Sequence, residues 1–331
     1  MGVPFKWALA FALTAVGLWL LSQLTAVIFM LLGGLLLAAT LYPGVRALER
    51  LKLPRIAAVL ILLAVVLALA AAAVLWILPP FVGQAIQAFN SLPSLFEVAA
   101  DRLSRLREIY PFVPRVRDII AWLAGKALAW LQQGFRVTWQ LSVTMALVFT
   151  AVVLSIFVLL DGKNVLKQVT DRMPAAQAER TLTIARAIRD QVGSYILGLL
   201  ILATCAGTLV FLALWLIGMP FPLVLGVLAG LTDLIPYVGP FISGAIAVGV
   251  GLGVDPGKAL WTLIAFVIIE QIEAQLLSPL ILGRTTQVSP IWVIVSLFVG
   301  GTLFGLAGMF FAVPVAIVIK VLVEILLPVR R

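Results

Sequence analysis

Five side chains able to handle a proton, a cation or a polar solute lie inside otherwise apolar sequence. Asp233 interrupts one apolar block, and Glu270, Gln271, Glu273 and Gln275 crowd into another. At about 100° per residue in a helix, Glu270 and Glu273 share one side and Gln271 and Gln275 an adjacent one, so the four form a broad polar face. An ionised side chain at the centre of a membrane helix costs about 2.5–3.5 kcal/mol on insertion scales, which makes each carboxylate a functional hypothesis by default. Lipid cannot solvate such a face, so it is expected to look into the protein, where it could bind a polar solute or exchange a proton. The structural alternatives are that Asp233 caps the helical arm after it or sits in the membrane interface, and that the Glu and Gln residues form a polar helix end at the cytoplasmic boundary near Leu280.

Other chemistries are poorly supplied. The chain has no histidine and one cysteine, Cys205, inside an apolar run. No disulfide framework, thiolate metal site or imidazole base can be built, and no nucleophile–base set is recognisable, so neither an enzyme, a metal site nor a cofactor is expected. The Gly257–Lys258 pair lacks the earlier glycine and the following Ser or Thr of a Walker A loop. Lys320 and Glu324, spaced i, i+4, read as a snorkelling pair.

The elements that must position the five residues belong in a membrane. Of 331 residues, 63% are hydrophobic and 11% charged, and the mean hydropathy is +1.19. That composition leaves too little polar surface for a soluble globule. The 23 basic residues, which give a formal charge of +9, sit mainly in short tracts beside apolar runs, as orientation signals do, and nucleic acid is not an expected partner.

Residues 5 to 41 are too long for one crossing and are expected to form a helical hairpin turning near Ser22 to Thr25, with Lys6 preceding a retained first helix. The basic loop Arg46, Arg50, Lys52 and Arg55 is expected in the cytoplasm. A third span over 56–78 is expected to close at Pro79 and Pro80, completing an N-terminal unit at 1–80. An amphipathic helical segment follows at 81–140, punctuated by Pro93, Pro111 and Pro114. A fourth span at 141–160 and a cytoplasmic polar segment at 161–191 complete the first half.

The second half reads as two copies of one plan. Residues 192–218 can cross once, and the block 220–254 is then broken by Asp233-Leu234-Ile235-Pro236-Tyr237-Val238-Gly239-Pro240, leaving arms too short to span comfortably. Residues 258–280 can cross again, and the block 290–324 is interrupted around Gly300-Gly301-Thr302 and Gly305, the alternative being that 303–324 makes a complete span. Each unit crosses an odd number of times, so the copies, 192–254 and 255–331, are expected to be inverted, as in many secondary transporters. The expected breaks or hinges are Pro236, Tyr237, Gly239, Pro240, Pro279, Gly283, Gly300, Gly301 and Gly305. Gly226 with Gly230, and Gly301 with Gly305, also read as small-residue packing pairs. The fold class is therefore all-α, a polytopic membrane protein with about six full spans and two broken or re-entrant hairpins.

The tract Gln271-x-Glu273-x-Gln275 leading to Pro279, Gly283 and Pro290, then Gly300-Gly301, Gly305, Gly308 and Pro314, resembles the C-terminal signature of the autoinducer-2 exporter family, also described as PerM-like permeases. Ile235-Pro236-Tyr237-Val238-Gly239-Pro240 resembles that family's earlier loop, and Gly193-Ser194-Tyr195 and Leu160-Asp161-Gly162 fall where it has similar residues. The resemblance covers essentially the full chain, although 81–140 matches only in character. Gln275 stands where Asn is common and Ala274 where Gly is common. The resemblance implies a homo-oligomeric transporter of small polar solutes, with autoinducer-2 as the name-giving substrate and sodium or lithium/proton antiport in some members; a pentamer is the oligomer expected.

The function expected is secondary transport, with export of a small hydrophilic molecule such as autoinducer-2 and possible proton coupling. The alternatives are a monovalent cation/proton antiporter and a non-transporting scaffold that binds partners through its amphipathic segment. The expected location is the bacterial inner membrane, with membrane lipids as neighbours and both termini cytoplasmic.

Overall fold

The structure is a computed structural model, and it describes residues 24–109, 125, 148–283 and 289–326. The first arm of the expected N-terminal hairpin, Pro111 and Pro114, and Arg330 and Arg331 lie outside the described residues. Every described element is helical, and no strand occurs among them. In chain order they are α1 (Thr25–Arg50), α2 (Arg55–Ile109), α3 (Val148–Thr170), α4 (Ala175–Ile217), α5 (Pro222–Asp233), α6 (Val238–Val254), α7 (Pro256–Ile272), a π-turn (Glu273–Leu277), α8 (Ser278–Ile281) and α9 (Pro290–Leu326). Six of the described helices are long and apolar enough to cross a membrane, and α5 and α6 are the shorter apolar pieces.

Helix α4 organises the bundle. It packs against α1, α5, α7 and α9, while α2 closes over α5 and α6. Side chains from α2, α4, α5, α6 and α7 share one core around Phe96, Leu214, Ile246 and Val250. A second core joins α4 to α9 through Tyr195, Leu199, Leu297 and Ile317, and a third joins α1, α2 and α3 through Val45, Val59 and Leu159. Large apolar side chains such as Leu67, Trp76, Leu216 and Phe298 point outward, the arrangement of a protein whose surroundings are hydrocarbon. Lipid removes the hydrophobic drive for helix association, so close packing must supply it. Gly207 of α4 shows how: a β-carbon there would press on the Gly226 carbonyl at 2.9 Å and the Gly230 Cα at 3.2 Å, so the two backbones touch.

Helix boundaries differ from the sequence expectation in three places, one being α3, which runs past residue 160 to Thr170. Pro79 and Pro80 do not end a helix, because α2 runs from Arg55 through both of them and through Pro93. A proline frees the carbonyl four residues earlier and bends a helix without having to end it. Similarly, the polar stretch before residue 192 and the span after it form the single 43-residue helix α4, which at about 1.5 Å per residue far exceeds the hydrocarbon thickness. Its charged N-terminal part therefore projects beyond the apolar layer.

Long-range polar contacts fix the ends of the short helices. The Gln84 side chain of α2 accepts hydrogen bonds from the Leu223 and Val224 amides at 2.9 and 3.4 Å, capping α5 from outside. Arg102 donates to the Leu252 carbonyl near the end of α6 at 2.7 Å, and Lys258 donates to the Gly218 carbonyl beyond α4. Arg180 donates to the carbonyls of Ile325 and Leu326 at the end of α9. Each satisfies a group that a helix terminus leaves unpaired.

Both expected hairpins are visible in the chain path. Arms α5 and α6 pack on each other across the break after Asp233. In α9 the backbone leaves helical geometry at Gly305 alone (φ 62, ψ −143), a conformation that glycine adopts at no steric cost. The arms on either side fold back until a β-carbon on Gly300 or Gly308 would overlap the other's carbonyl. In a straight helix those two positions would be about 12 Å apart. The interruption expected over Gly300-Gly301-Thr302 is thus confined to Gly305. Gly301 is helical and faces the Met309 side chain, whereas among the described residues nothing lies within 4 Å of where a β-carbon on Gly305 would stand.

Candidate transport site

Asp233 is the last residue of α5 and is 5% exposed. The chain then turns through three short-range hydrogen bonds, Ile235 to Thr232, Val238 to Pro236 and Gly239 to Ile235, at 2.9, 2.8 and 2.9 Å. Tyr237 carries a positive φ of 65 at the start of α6, and its side chain is half exposed. A β-carbon on Gly239 would overlap the Thr232 carbonyl, so the two arms meet without room for a side chain. Pro236 lies in the turn and Pro240 in the first turn of α6, where a missing amide proton leaves no gap in the helix ladder. Asp233 does not cap α6, whose N-cap is Tyr237 without any side-chain hydrogen bond. Among the described residues the Asp233 Oδ2 atom is buried with no hydrogen-bond partner, a condition that costs free energy unless something else meets it.

Tertiary structure brings the two separate sequence tracts together. Asp233 lies close enough to Glu270 and Glu273 for the three carboxyl groups to interact electrostatically. Tyr195 of α4 lies in the neighbourhood of Asp233 and Tyr237 and is 7% exposed. It was absent from the candidate residues of the sequence, where the only signal was its place in the Gly193-Ser194-Tyr195 tract.

The polar face of α7 is divided. Glu273 is partly buried, while Glu270, Gln271 and Gln275 are exposed on this chain, so the expectation that the whole face turns inward does not hold for a single copy. The inner face is occupied by Ala259, Thr262 and Ile269. At about 100° per residue Glu273 falls on that side, Glu270 on its flank, and Gln271 nearly opposite. Gln275 donates to Gln271 Oε1 at 2.7 Å, so the two amides partly satisfy each other on the outside.

A π-turn sets where this face ends. Over Glu273–Leu277 the hydrogen bonds skip an extra residue, with the Ser278 amide donating to the Glu273 carbonyl. Pro279 accounts for it: its ring would clash with the Gln275 carbonyl and has no N–H to give it, so one residue is accommodated as a bulge. Helix α8 then stops at Gly283, which has a φ of 62, the left-handed conformation that commonly ends helices.

A large apolar groove lies elsewhere. A groove of about 1380 Å³ runs between α1 and α9, lined by apolar side chains such as Phe29, Trp292, Phe304 and Phe311, with Lys320 and Glu324, which approach each other to 3.8 Å, also on its wall. Of the candidate residues only Gly300 lines it. No cluster of three or more metal-ligating side chains occurs among the described residues.

With a broken-hairpin helical membrane fold in place, comparison with known proteins decides the class. Residues 9–327 match the model of the family described as "AI-2E family transporter". The chain belongs to this family. It is similar to "Putative transport protein MT0215" of Mycobacterium tuberculosis, 30% identical over 94% of this chain and 86% of that protein. It is also similar to "Putative transport protein YueF" of Bacillus subtilis, 29% identical over 86% and 81%, and to "Putative permease PerM" of Escherichia coli K12, 27% identical over 75% and 72%. AI-2E family membership and the apolar spans make the chain a bacterial inner-membrane protein of a transporter family. Within the AI-2E family matched region lie all five polar candidates, both hairpin breaks and the π-turn.

Proposed function

We propose that this AI-2E family member is a secondary transporter that exports a small hydrophilic molecule such as autoinducer-2, with Asp233, Glu270, Gln271, Glu273 and Gln275 along the solute or proton path. The observation that carries the reading is the meeting of Asp233, at the break between two half-length helices, with Glu270 and Glu273 of a separate helix. Broken helices lining a site are the usual transporter solution, because unwound backbone at membrane depth is tolerated only beside protein or a water-filled cavity. A solute hydroxyl, a cation or a proton satisfies the unpartnered Asp233 oxygen and relieves the mutual repulsion of the carboxyl groups.

Alternating access then consists of the α5–α6 and α9 hairpins rocking against α4 and α7 as an inverted pair. Pro236, Tyr237, Gly239 and Pro240 hold one break open, and in the other half Pro279 and Gly283 act as hinges and Gly305 as the break, with helical Gly300 and Gly301 letting its arms close. Glu270, Gln271 and Gln275 are exposed on one chain, and lipid is a poor neighbour for them, which supports a homo-oligomer, with a pentamer as the working state, that encloses this face between copies.

A second reading is a monovalent cation/proton antiporter, in which the buried, unpartnered Asp233 carboxyl exchanges a cation for a proton. Both are tested with the purified protein in liposomes: efflux of autoinducer-2, and sodium- or lithium-driven proton movement, each compared with Asp233→Asn and Glu273→Gln at equal incorporation. Autoinducer-2 efflux lost in both variants supports the first reading, and ion exchange lost in both with no efflux by the wild type supports the second. If neither flux exceeds empty liposomes, the transport reading of this site fails and a scaffold role takes its place.

A further inference from the structure

A second polar site lies apart from the carboxyl cluster, where the C-terminal part of α1 crosses α4. The crossing is tight, since a β-carbon on Gly193 would overlap the Ala39 carbonyl. Just beyond it a cleft of about 330 Å³ is lined by Tyr42, Arg46 and Arg50 of α1 and by Arg189, Asp190 and Ser194 of α4. Three arginines against one aspartate leave this small cleft strongly basic.

The three guanidinium groups are not equivalent. Arg189 is held in place, stacked 3.9 Å above the centre of the Tyr42 ring and paired with Asp190 at 2.8 Å. Arg46 and Arg50 stand one turn apart, on the same helix face as Tyr42, exposed and with no carboxylate partner among the described residues. An ordinary anchoring arginine snorkels alone into water. Here Arg46 and Arg50 line the same cleft as a third arginine that the protein has fixed, with Tyr42 and Ser194 also on its wall.

Depth points to the ligand. On α1 the long apolar run ends at Leu41, and on α4 it begins at Val192, so the cleft sits at the boundary where lipid headgroups lie. Arginine forks match the geometry of phosphate oxygens and bind them bidentately, and basic pockets between spans at this level are suited to anionic headgroups.

We propose that this cleft is a binding site for a phosphate oxyanion, carried by the headgroup of an anionic phospholipid in the adjoining leaflet. Arg46 and Arg50 grip the phosphate, Arg189 supplies a fixed third cation, and the lipid's acyl chains lie along the apolar part of α1.

The test is native mass spectrometry of the full chain in detergent, titrated separately with phosphatidylglycerol, phosphatidylcholine and inorganic phosphate. The variants are Arg46→Gln/Arg50→Gln, Arg46→Lys/Arg50→Lys, and a control, Lys163→Gln/Lys167→Gln, which removes as much charge from the end of α3. The expected result is preferential retention of phosphatidylglycerol, weakened about tenfold or more by the glutamine pair, by an intermediate factor in the lysine pair, and less than about twofold in the control. Inorganic phosphate retained by the wild type in place of phosphatidylglycerol, and lost in the glutamine pair, overturns the lipid assignment in favour of soluble phosphate. Equal weakening in the control, or unchanged binding in the glutamine pair with an unchanged thermal midpoint, overturns the proposal.

Discussion

Gly300 and Gly308 stand back to back, each occupying the space that a β-carbon on the other would need. Eight positions apart in one apolar run, they meet because Gly305 between them turns the chain through a conformation closed to most residues. The second hairpin of the molecule is built on this contact, and its arms then present Phe304 and Phe311 to Phe29 of α1, with ring centres 5.4 and 5.0 Å away.

Gly308→Ala is therefore expected to spread the arms and destabilise the protein by about 1–3 kcal/mol, the usual range for overpacking a close contact. Gly305→Ala adds a methyl to open space, yet it should cost about 1–3 kcal/mol through backbone strain alone. Thermal unfolding of the detergent-solubilised protein measures both. An alanine at 308 that left the midpoint unchanged would show that the arms separate freely.

Asp233→Asn and Glu273→Gln should each reduce transport while leaving expression and the thermal midpoint unchanged or slightly raised, because each removes a repulsive neighbour of the other. If the pair acts as one site, the double variant loses little more than the worse single, a coupling of about 0.5–3 kcal/mol in transition-state terms. Initial rates in liposomes at matched incorporation give the answer, and strictly additive losses would separate the two residues functionally.

Pro279→Ala restores an amide proton for the Gln275 carbonyl and removes the ring that displaces it. The π-turn should then revert to α-helix, and Leu280, Ile281 and Leu282 should rotate by about 100° relative to Glu270. The expected signature is a more heat-stable protein with slower transport. Faster transport would mean that the bulge restrains the cycle.

Gln84→Ala deletes the side-chain acceptor that caps α5 from α2, at a cost of about 1 kcal/mol. Gln84→Glu keeps the acceptor and adds a charge favourable to a helix N-terminus, so it should hold the wild-type midpoint. Loss of stability in both would place the role of Gln84 in packing rather than capping.

The sequence by itself determined the solvent, the helical class and the presence of two broken helices, although it spread the second break over Gly300-Gly301-Thr302 as well as Gly305. Composition and run length decide what lies in lipid, and Asp233 with its Pro- and Gly-rich sequel, or Gly305 in an apolar run, break a helix through local chemistry that needs no tertiary partner. It misplaced the ends of α2 and α4, because Pro79 and Pro80 can bend a helix as well as end one, and because the charges before residue 192 do not interrupt helical backbone. Only tertiary structure could bring Asp233 within range of Glu270 and Glu273, add Tyr195, and set Arg46 and Arg50 against Arg189. Those relations depend on where α4 crosses its neighbours, and the crossing points are fixed by close contacts such as Gly193 on Ala39 and Gly207 on Gly226. A run of apolar residues shows that a helix is buried in lipid; the few ångströms of backbone clearance decide which of its side chains face one another.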